Sequence, residues 1–509
     1  MQHAVEQRQR ERAAPGGDQG AARVGEELAQ HEAQPREAGY GADVRRHRLF
    51  LVALLVGALV RVLVTIGFWP GLVFSDGPTY LGWLDYGLPW LARPVGYSAV
   101  LEALSRLASP IVLVVLLQHV LGLIEGVLVY AVLRRWEVSA RTATLAALPV
   151  LLDGMQLALE QSVLSDTVFV FVLVLAVAVL ARRRRPGPGA AAAAGLLLGL
   201  ATVVRVAGEP TVLAAVLFCL LAAAGWRRRL LTSAVLVVAF VAPLAGYATW
   251  FHAYHDRWAI SEVSGRSLYM RTTTFVDCRQ LTDLPTYERT LCPDEPLGQR
   301  LDPTDYGWHS PDAYAGIEVP AGMTRDQVFR DFALRAIRAQ PGDYARTVLR
   351  DAALLLSPTR GDAYEYDTAH KWLLSTYAHH DLSARSRQAY TDHGAPQLRP
   401  RQPVADVMAG YQHVVYLWGP LVGALVLTAL AGLVRRRRNV PLVLLTLALG
   451  VGLTLLPILS LEFIWRYSLP LLPFVPMAAA AAWPARSADR VAQQDDPVVE
   501  DARLQRSQG

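Results

Sequence analysis

The sequence predicts an all-α polytopic membrane protein of about ten transmembrane helices with a mainly helical extracytoplasmic insert. Three observations carry that expectation. Apolar stretches recur between residues 48 and 484, and a span needs roughly 20 predominantly apolar residues. Arginine clusters punctuate those stretches, and arginine-rich short loops stay on the cytoplasmic side. The composition is 53% hydrophobic against 18% charged over 509 residues, with a mean hydropathy of +0.26.

Residues 1–47 are polar. Their "QRQRERAAPGGDQG" lacks the apolar core of a signal peptide and reads as a disordered cytoplasmic tail. Residues 485–509 read the same way. The net charge of +5 does not indicate a nucleic-acid partner, because the arginines gather at span ends and not along one soluble face. The basic clusters are Arg45, Arg46 and Arg48; Arg134, Arg135 and Arg141; Arg182 to Arg185; Arg227 to Arg229; and Arg435 to Arg438. Between them, residues 142–181, 186–226 and 439–484 are each about twice a span in length and read as helical hairpins with outer tips. Spans are also expected near 48–68, 111–133, 230–250 and 411–434. The third span, around "DGMQLALEQS", equally fits a re-entrant or interfacial piece. The resulting organisation is an N-terminal transmembrane module over 48–250 with a first outer loop at 69–110, an extracytoplasmic segment over 251–410, and a C-terminal module over 411–484. Both termini are expected in the cytoplasm of a plasma-membrane protein.

The soluble segment contains "DQVFRDFALRAIRAQPGDYARTVLRDAALLL", whose apolar spacings of three and four predict two amphipathic helices broken at Pro341 and Gly342. Cys278 and Cys292 both fall in it. A bridge between them would close a loop of ~15 residues in an oxidising compartment. Cys219 lies within a span and reads as packing.

This topology sorts the acids. Asp76 and Asp85 lie in the first outer loop. Asp153, Glu160 and Asp166 surround the next outer tip, Glu209 the following one and Glu462 the last. Arg205 and Arg466 stand at the same outer ends, against the charge bias of membrane proteins. Each acid alone also reads as a solvated cap, and Asp76 as an N-cap for the helix after it. Guanidinium groups bind phosphate in a bidentate manner, so Arg205 and Arg466 are candidate anion-binding groups, with Tyr467 beside them. Tyr80 and Trp83, with Trp69 and Trp90, are candidates for stacking on sugar rings or for the interfacial aromatic belt. Glu160 and Asp166 could share a divalent cation, although two carboxylates do not indicate one. No Walker A loop, G-x-G-x-x-G turn or G-x-S-x-G elbow is present.

Taken together, "FSDGPTYL", "RPVGYSAVLEAL", "LEQSVLSDTVFVF" and "FIWRYSLPLLPF" resemble the GT-C superfamily of membrane glycosyltransferases, as in the protein mannosyltransferase and lipid A aminoarabinose transferase families. The resemblance follows the span order across about residues 48–484. It implies a polyprenyl-phosphate-linked sugar donor, a hydroxyl acceptor in the cell envelope, and an extracytoplasmic site. The family's first-loop catalytic acid maps to Asp76. Its second-loop acid maps to Asp166, with Glu160 as a rival. The first loop lacks the paired acids of some relatives, and the soluble segment has no recognisable sugar-binding module. A transporter or flippase of a lipid-linked saccharide is the alternative reading.

Overall fold

In the computed structural model the described residues are 47–309, 317–360, 369–379, 382–435 and 439–484. The expected terminal tails, Arg45, Arg46 and Arg436 to Arg438 lie outside them. The chain divides at Val52 and Ala53; apart from the start of the first helix, the features below belong to the second unit.

The first helix, His47–Gly67, is long and apolar enough to cross a membrane. Ala53, Gly57, Val60, Arg61 and Val64 form its buried stripe, while Leu55, Leu59 and Val62 are exposed. That division has the period of a helix with one face on protein and the other on lipid. Pro110–Arg135, Trp226–His255 and Val440–Ser460 are also of spanning length. Two bent pairs, Ala140–Leu152 with Gly154–Glu160 and Val404–Val414 with Gly419–Arg435, make up to six spans by length and composition. Asp166–Leu180, Pro188–Val204 and Val206–Ala222 are apolar but shorter, and Leu471–Ala482 closes the order. A helix therefore stands at each of the expected span positions.

The third expected span is the one that breaks, with a 48° bend. Asp153 sits at the break and accepts a 2.7 Å hydrogen bond from the Met155 N–H, capping the second piece. Helix Pro188–Val204 lies along Trp226–His255 at close range. A Cβ on Gly195 would come within 2.2 Å of the Leu236 carbonyl oxygen, and one on Gly199 within 2.3 Å of the Phe240 carbonyl oxygen. Only glycine permits that backbone approach.

Residues 251–410 carry the helices Ser264–Thr273, Arg325–Ala339, Pro341–Leu354, Leu374–His379 and Ala384–Asp392. The two amphipathic helices are separated at Gln340, and Pro341 opens the second. Thr324 and Gln327 form a reciprocal capping box on the first. Tyr269, Val276, Leu291, Val328, Phe329 and Phe332 build a core there, and Cys278 is bonded to Cys292 beside it. Arg271 and Asp351, both fully buried, pair at 2.7 Å. Arg271 also donates to the Ile458 carbonyl at 3.0 Å, tying this core to the end of Val440–Ser460.

Candidate active site

Asp76 ends a turn in which Ser75 takes a left-handed φ of 53°. Gly77 and Pro78 then open helix Gly77–Tyr86. Asp76 occupies the N-cap position, yet its side chain makes no capping bond. The carboxylate is used otherwise. Its Oδ1 lies 2.8 Å from Arg93 Nη1 and its Oδ2 lies 2.7 Å from Arg466 Nη2. Its side chain keeps 22% exposure, so solvent still reaches it. Burial acts to raise the Asp76 pKa, but the charges of Arg93 and Arg466 and their hydrogen bonds outweigh it. The carboxyl is thus held well below the usual carboxylate range.

Arg466 comes from the short turn Trp465–Ser468, between the last two membrane helices. Its guanidinium lies 4.9 Å from the Trp372 ring centre and 4.9 Å from that of Tyr467. Burial opposes its charge, while Tyr467, Asp76 and Asp166 favour it and win. Arg205 follows helix Pro188–Val204 and pairs with Asp166 Oδ1 at 2.7 Å. The Arg205 guanidinium also lies 5.3 Å from the Tyr467 ring centre. Tyr80 completes the wall: its ring is 5.4 Å from Arg93, and its hydroxyl shares a 3.0 Å hydrogen bond with Ser165.

Three guanidiniums, Arg93, Arg205 and Arg466, therefore surround two carboxylates, Asp76 and Asp166. One positive charge is in excess. Several polar atoms of the group are buried without a hydrogen-bond partner: Arg466 Nη1 and Nε, Trp372 Nε1 and Asp166 Oδ2. Buried donors and acceptors are almost always satisfied, and each such exception calls for an explanation. Among the described residues no cluster of three or more His, Cys, Asp or Glu is arranged to hold a metal ion.

The remaining expected site residues are placed elsewhere. Asp153 caps its helix, accepts from the Leu417 N–H at 2.6 Å and faces Arg360 at 3.7 Å. Glu160 is buried against Arg61 and His119, at 2.7 and 2.8 Å. Glu462 accepts from the Thr304 hydroxyl at 2.9 Å. Asp85 and Glu209 are exposed. Trp83 packs with Val95, Tyr247 and Phe251, its Nε1 donating to the Leu88 carbonyl at 2.6 Å. Arg93 and Trp372 were not singled out from the sequence. Arg93 was legible by the same reasoning as Arg466, an arginine in an outer loop that also holds an acid. Trp372 carried no signal, because an aromatic residue in a long polar segment has no periodicity to place it. A cavity of about 440 Å³ opens in the outer segment, lined by Tyr377, Arg387, Gln388, Thr391 and Gln397 among others, and contains none of the charged group.

Residues 97–266 match the family model of dolichyl-phosphate-mannose-protein mannosyltransferases. Two solved structures are similar to the chain, both of oligosaccharyltransferase from Archaeoglobus fulgidus. One is AglB in complex with an inhibitory peptide and a dolichol-phosphate, at 13% identity and a TM-score of 0.42, covering 89% of this chain and 52% of that one. The other is the apo form, at 12% identity and a TM-score of 0.42, covering 85% and 50%. The chain spans about half the length of these structures. No curated protein matches it. The resemblance to GT-C membrane glycosyltransferases is borne out by the family match, and the chain is a multi-pass membrane protein whose described residues form helices and no strand. The transporter alternative finds no support.

Proposed function

We propose that the chain is a polyprenyl-phosphate-dependent glycosyltransferase. It moves a hexosyl or pentosyl group to an acceptor hydroxyl of a cell-envelope glycan, lipid or protein, on the extracytoplasmic face of the plasma membrane. The observation that carries this reading is the mismatch of polar atoms around Asp76: buried cationic donors without acceptors, next to a buried carboxylate oxygen without a donor. A phosphate and a hydroxyl would answer both deficits.

In this reading the donor's phosphate lies against Arg466, with Arg205 and Arg93 nearby. The acceptor O–H is deprotonated by Asp76 as its oxygen attacks the anomeric carbon. The bond from that carbon to the phosphate oxygen breaks, and its electron pair leaves on polyprenyl phosphate. No general acid is needed for such a leaving group. Positive charge is needed where the negative charge develops, and preorganised cations are the strongest contribution a site makes there. A general base works best when its pKa lies near the operating pH, whereas Asp76 is held far below. An incoming phosphate opposes that bias, because it brings negative charge and shares the guanidiniums that hold Asp76 ionised. Asp166 holds Arg205 in place and offers its free Oδ2 to a sugar or acceptor hydroxyl. The orientation with both termini cytoplasmic belongs to the same proposal and rests on the arginine clusters.

The test is transfer of label from polyprenyl-phosphate-[14C]mannose to cell-envelope extract by the purified full chain in detergent or nanodiscs. Label in extract polymer or lipid supports the reading. Movement of intact lipid-linked sugar across a vesicle, without cleavage, would replace it with the transporter.

A further inference from the structure

A second polar cluster lies behind the charged group, inside the helix bundle, and the chemistry above does not use it. Glu160 is fully buried there. Its Oε1 meets Arg61 Nη2 at 2.7 Å, and its Oε2 meets His119 Nδ1 at 2.8 Å. His119 Nε2 faces Gln161 Oε1 at 2.8 Å. The amide orientation is fixed by Gln161 Nε2, which donates to the Phe68 carbonyl at 2.8 Å. Gln118 Nε2 donates to the carbonyls of both Glu160 and Ser162, at 2.9 and 2.8 Å. Arg61 is itself anchored on the Leu151 and Val150 carbonyls, at 2.7 and 3.0 Å. Gly122 makes room for the pair, since a Cβ there would come within 1.8 Å of Glu160 Oε1.

What this cluster holds is the junction of the two acid-bearing loops. Leu72 and Ser162 form a parallel bridge. The Leu72 N–H donates to the Gln161 carbonyl at 2.8 Å, and the Val163 N–H donates to the Leu72 carbonyl at 2.9 Å. Asp76 lies four residues past Leu72, and Asp166 lies four residues past Ser162. Both acids thus hang at equal chain distance from one short pairing. An isolated bridge has no neighbouring ladder to fix its register. Here buried side chains from three membrane helices do so, by gripping residues on both sides of it.

We propose that Gln161 and His119, backed by Arg61 and Glu160, are positioning residues that lock the register of the first and second loops and so set the placement of Asp76 against Asp166. The proposal rests on the transferase reading for its catalytic consequence, but not for the lock itself. A displacement of about 1 Å costs a positioned reaction on the order of 10²-fold, so the lock acts on turnover and not on donor capture.

The experiment uses the full chain and two variants, Gln161→Met and His119→Ala. Gln161→Met keeps length and removes the two amide hydrogen bonds without removing a charged side chain, so it remains informative if His119→Ala fails to fold. Two quantities are read: amide hydrogen exchange of peptides covering 70–76 and 160–166, and transfer rate per bound polyprenyl phosphate, counted by titration. In Gln161→Met, exchange in both loops rises together, by about tenfold or more as a local opening is eased. Turnover per binding site falls about 10- to 100-fold, with the donor KM within about threefold. Unchanged exchange in either loop overturns the lock. So does turnover per site equal to that of the parent, or a loss explained wholly by fewer binding sites. If the parent transfers no sugar while both loops respond in exchange, the transferase reading falls and the lock stands.

Discussion

Asp76 and Arg466 are 390 residues apart in the sequence and 2.7 Å apart in the fold. The pair joins the first outer loop to the turn before the last membrane helix. The carboxylate is not consumed by helix capping, and the guanidinium keeps two donors in reserve.

Replacing Asp76 by Asn removes the proposed base and one counter-charge of Arg466. Turnover is expected to fall by ~10²–10⁴-fold, the range for loss of a positioned base. Polyprenyl-phosphate binding should hold or tighten, since Arg466 is freed. Calorimetric titration of the variant with polyprenyl phosphate checks this. Loss of binding together with turnover would assign Asp76 to scaffolding.

Arg466→Lys keeps a positive charge but loses the planar fork and its stacking on Trp372 and Tyr467. Turnover is expected to drop by roughly 10²–10³-fold, the cost of removing a transition-state donor. Full activity in the lysine variant, measured by label transfer at saturating donor, would mean that charge alone suffices.

The Asp76 ion pairs also predict a pH dependence of stability. The folded-state pKa of Asp76 lies below its unfolded value of about 3.9. Their stabilisation is therefore fully present above about pH 4 and is lost as the pH falls through the depressed folded value. The difference in thermal midpoint between the parent chain and Asp76→Asn should be constant from about pH 8 to pH 5 and shrink only below about pH 4. A difference that has already vanished at about pH 6 would contradict the tight pairing.

Reduction of Cys278–Cys292 releases a loop of 14 residues' separation in the outer core. In the chain-entropy account such a bridge contributes about 3 kcal/mol. The double Cys278→Ser, Cys292→Ser variant should lower the unfolding temperature of the outer segment in a reductant-independent way. Limited proteolysis of both forms reads it. Equal protease resistance would show that Phe329, Phe332 and their neighbours hold the segment unaided.

Much of this architecture was legible because lipid and water impose strong rules on sequence. Arginine clusters marked where apolar helices would end, and side-of-membrane reasoning predicted one face for Asp76, Arg205 and Arg466. Their mutual contact was not legible, since it depends on how helices far apart in sequence pack. Glu160 illustrates the limit. Beside Asp166 in the chain it reads as a possible metal partner, yet it points into the bundle toward Arg61. Arg61 itself sits within the first apolar run, where an arginine is costly and so informative. Its partner Glu160 lies 99 residues further along the chain, a pairing that only the packing of the helices creates. The short helices Asp166–Leu180 and Pro188–Val204 match expected spans in position but fall short of spanning length. Composition sees where apolar residues are and not where the backbone turns.

The outer segment reaches both the loop that leads to Asp76 and the guanidinium of Arg466. Tyr390 receives the Val73 N–H at 3.1 Å and donates to the Gly71 carbonyl at 2.7 Å, while Trp372 lies against Arg466. One polypeptide stretch thus braces the loop that carries Asp76 and lies against Arg466. Exchanging that stretch wholesale would disturb both contacts at once. Any redesign of this stretch has to keep Trp372 and Tyr390 in place.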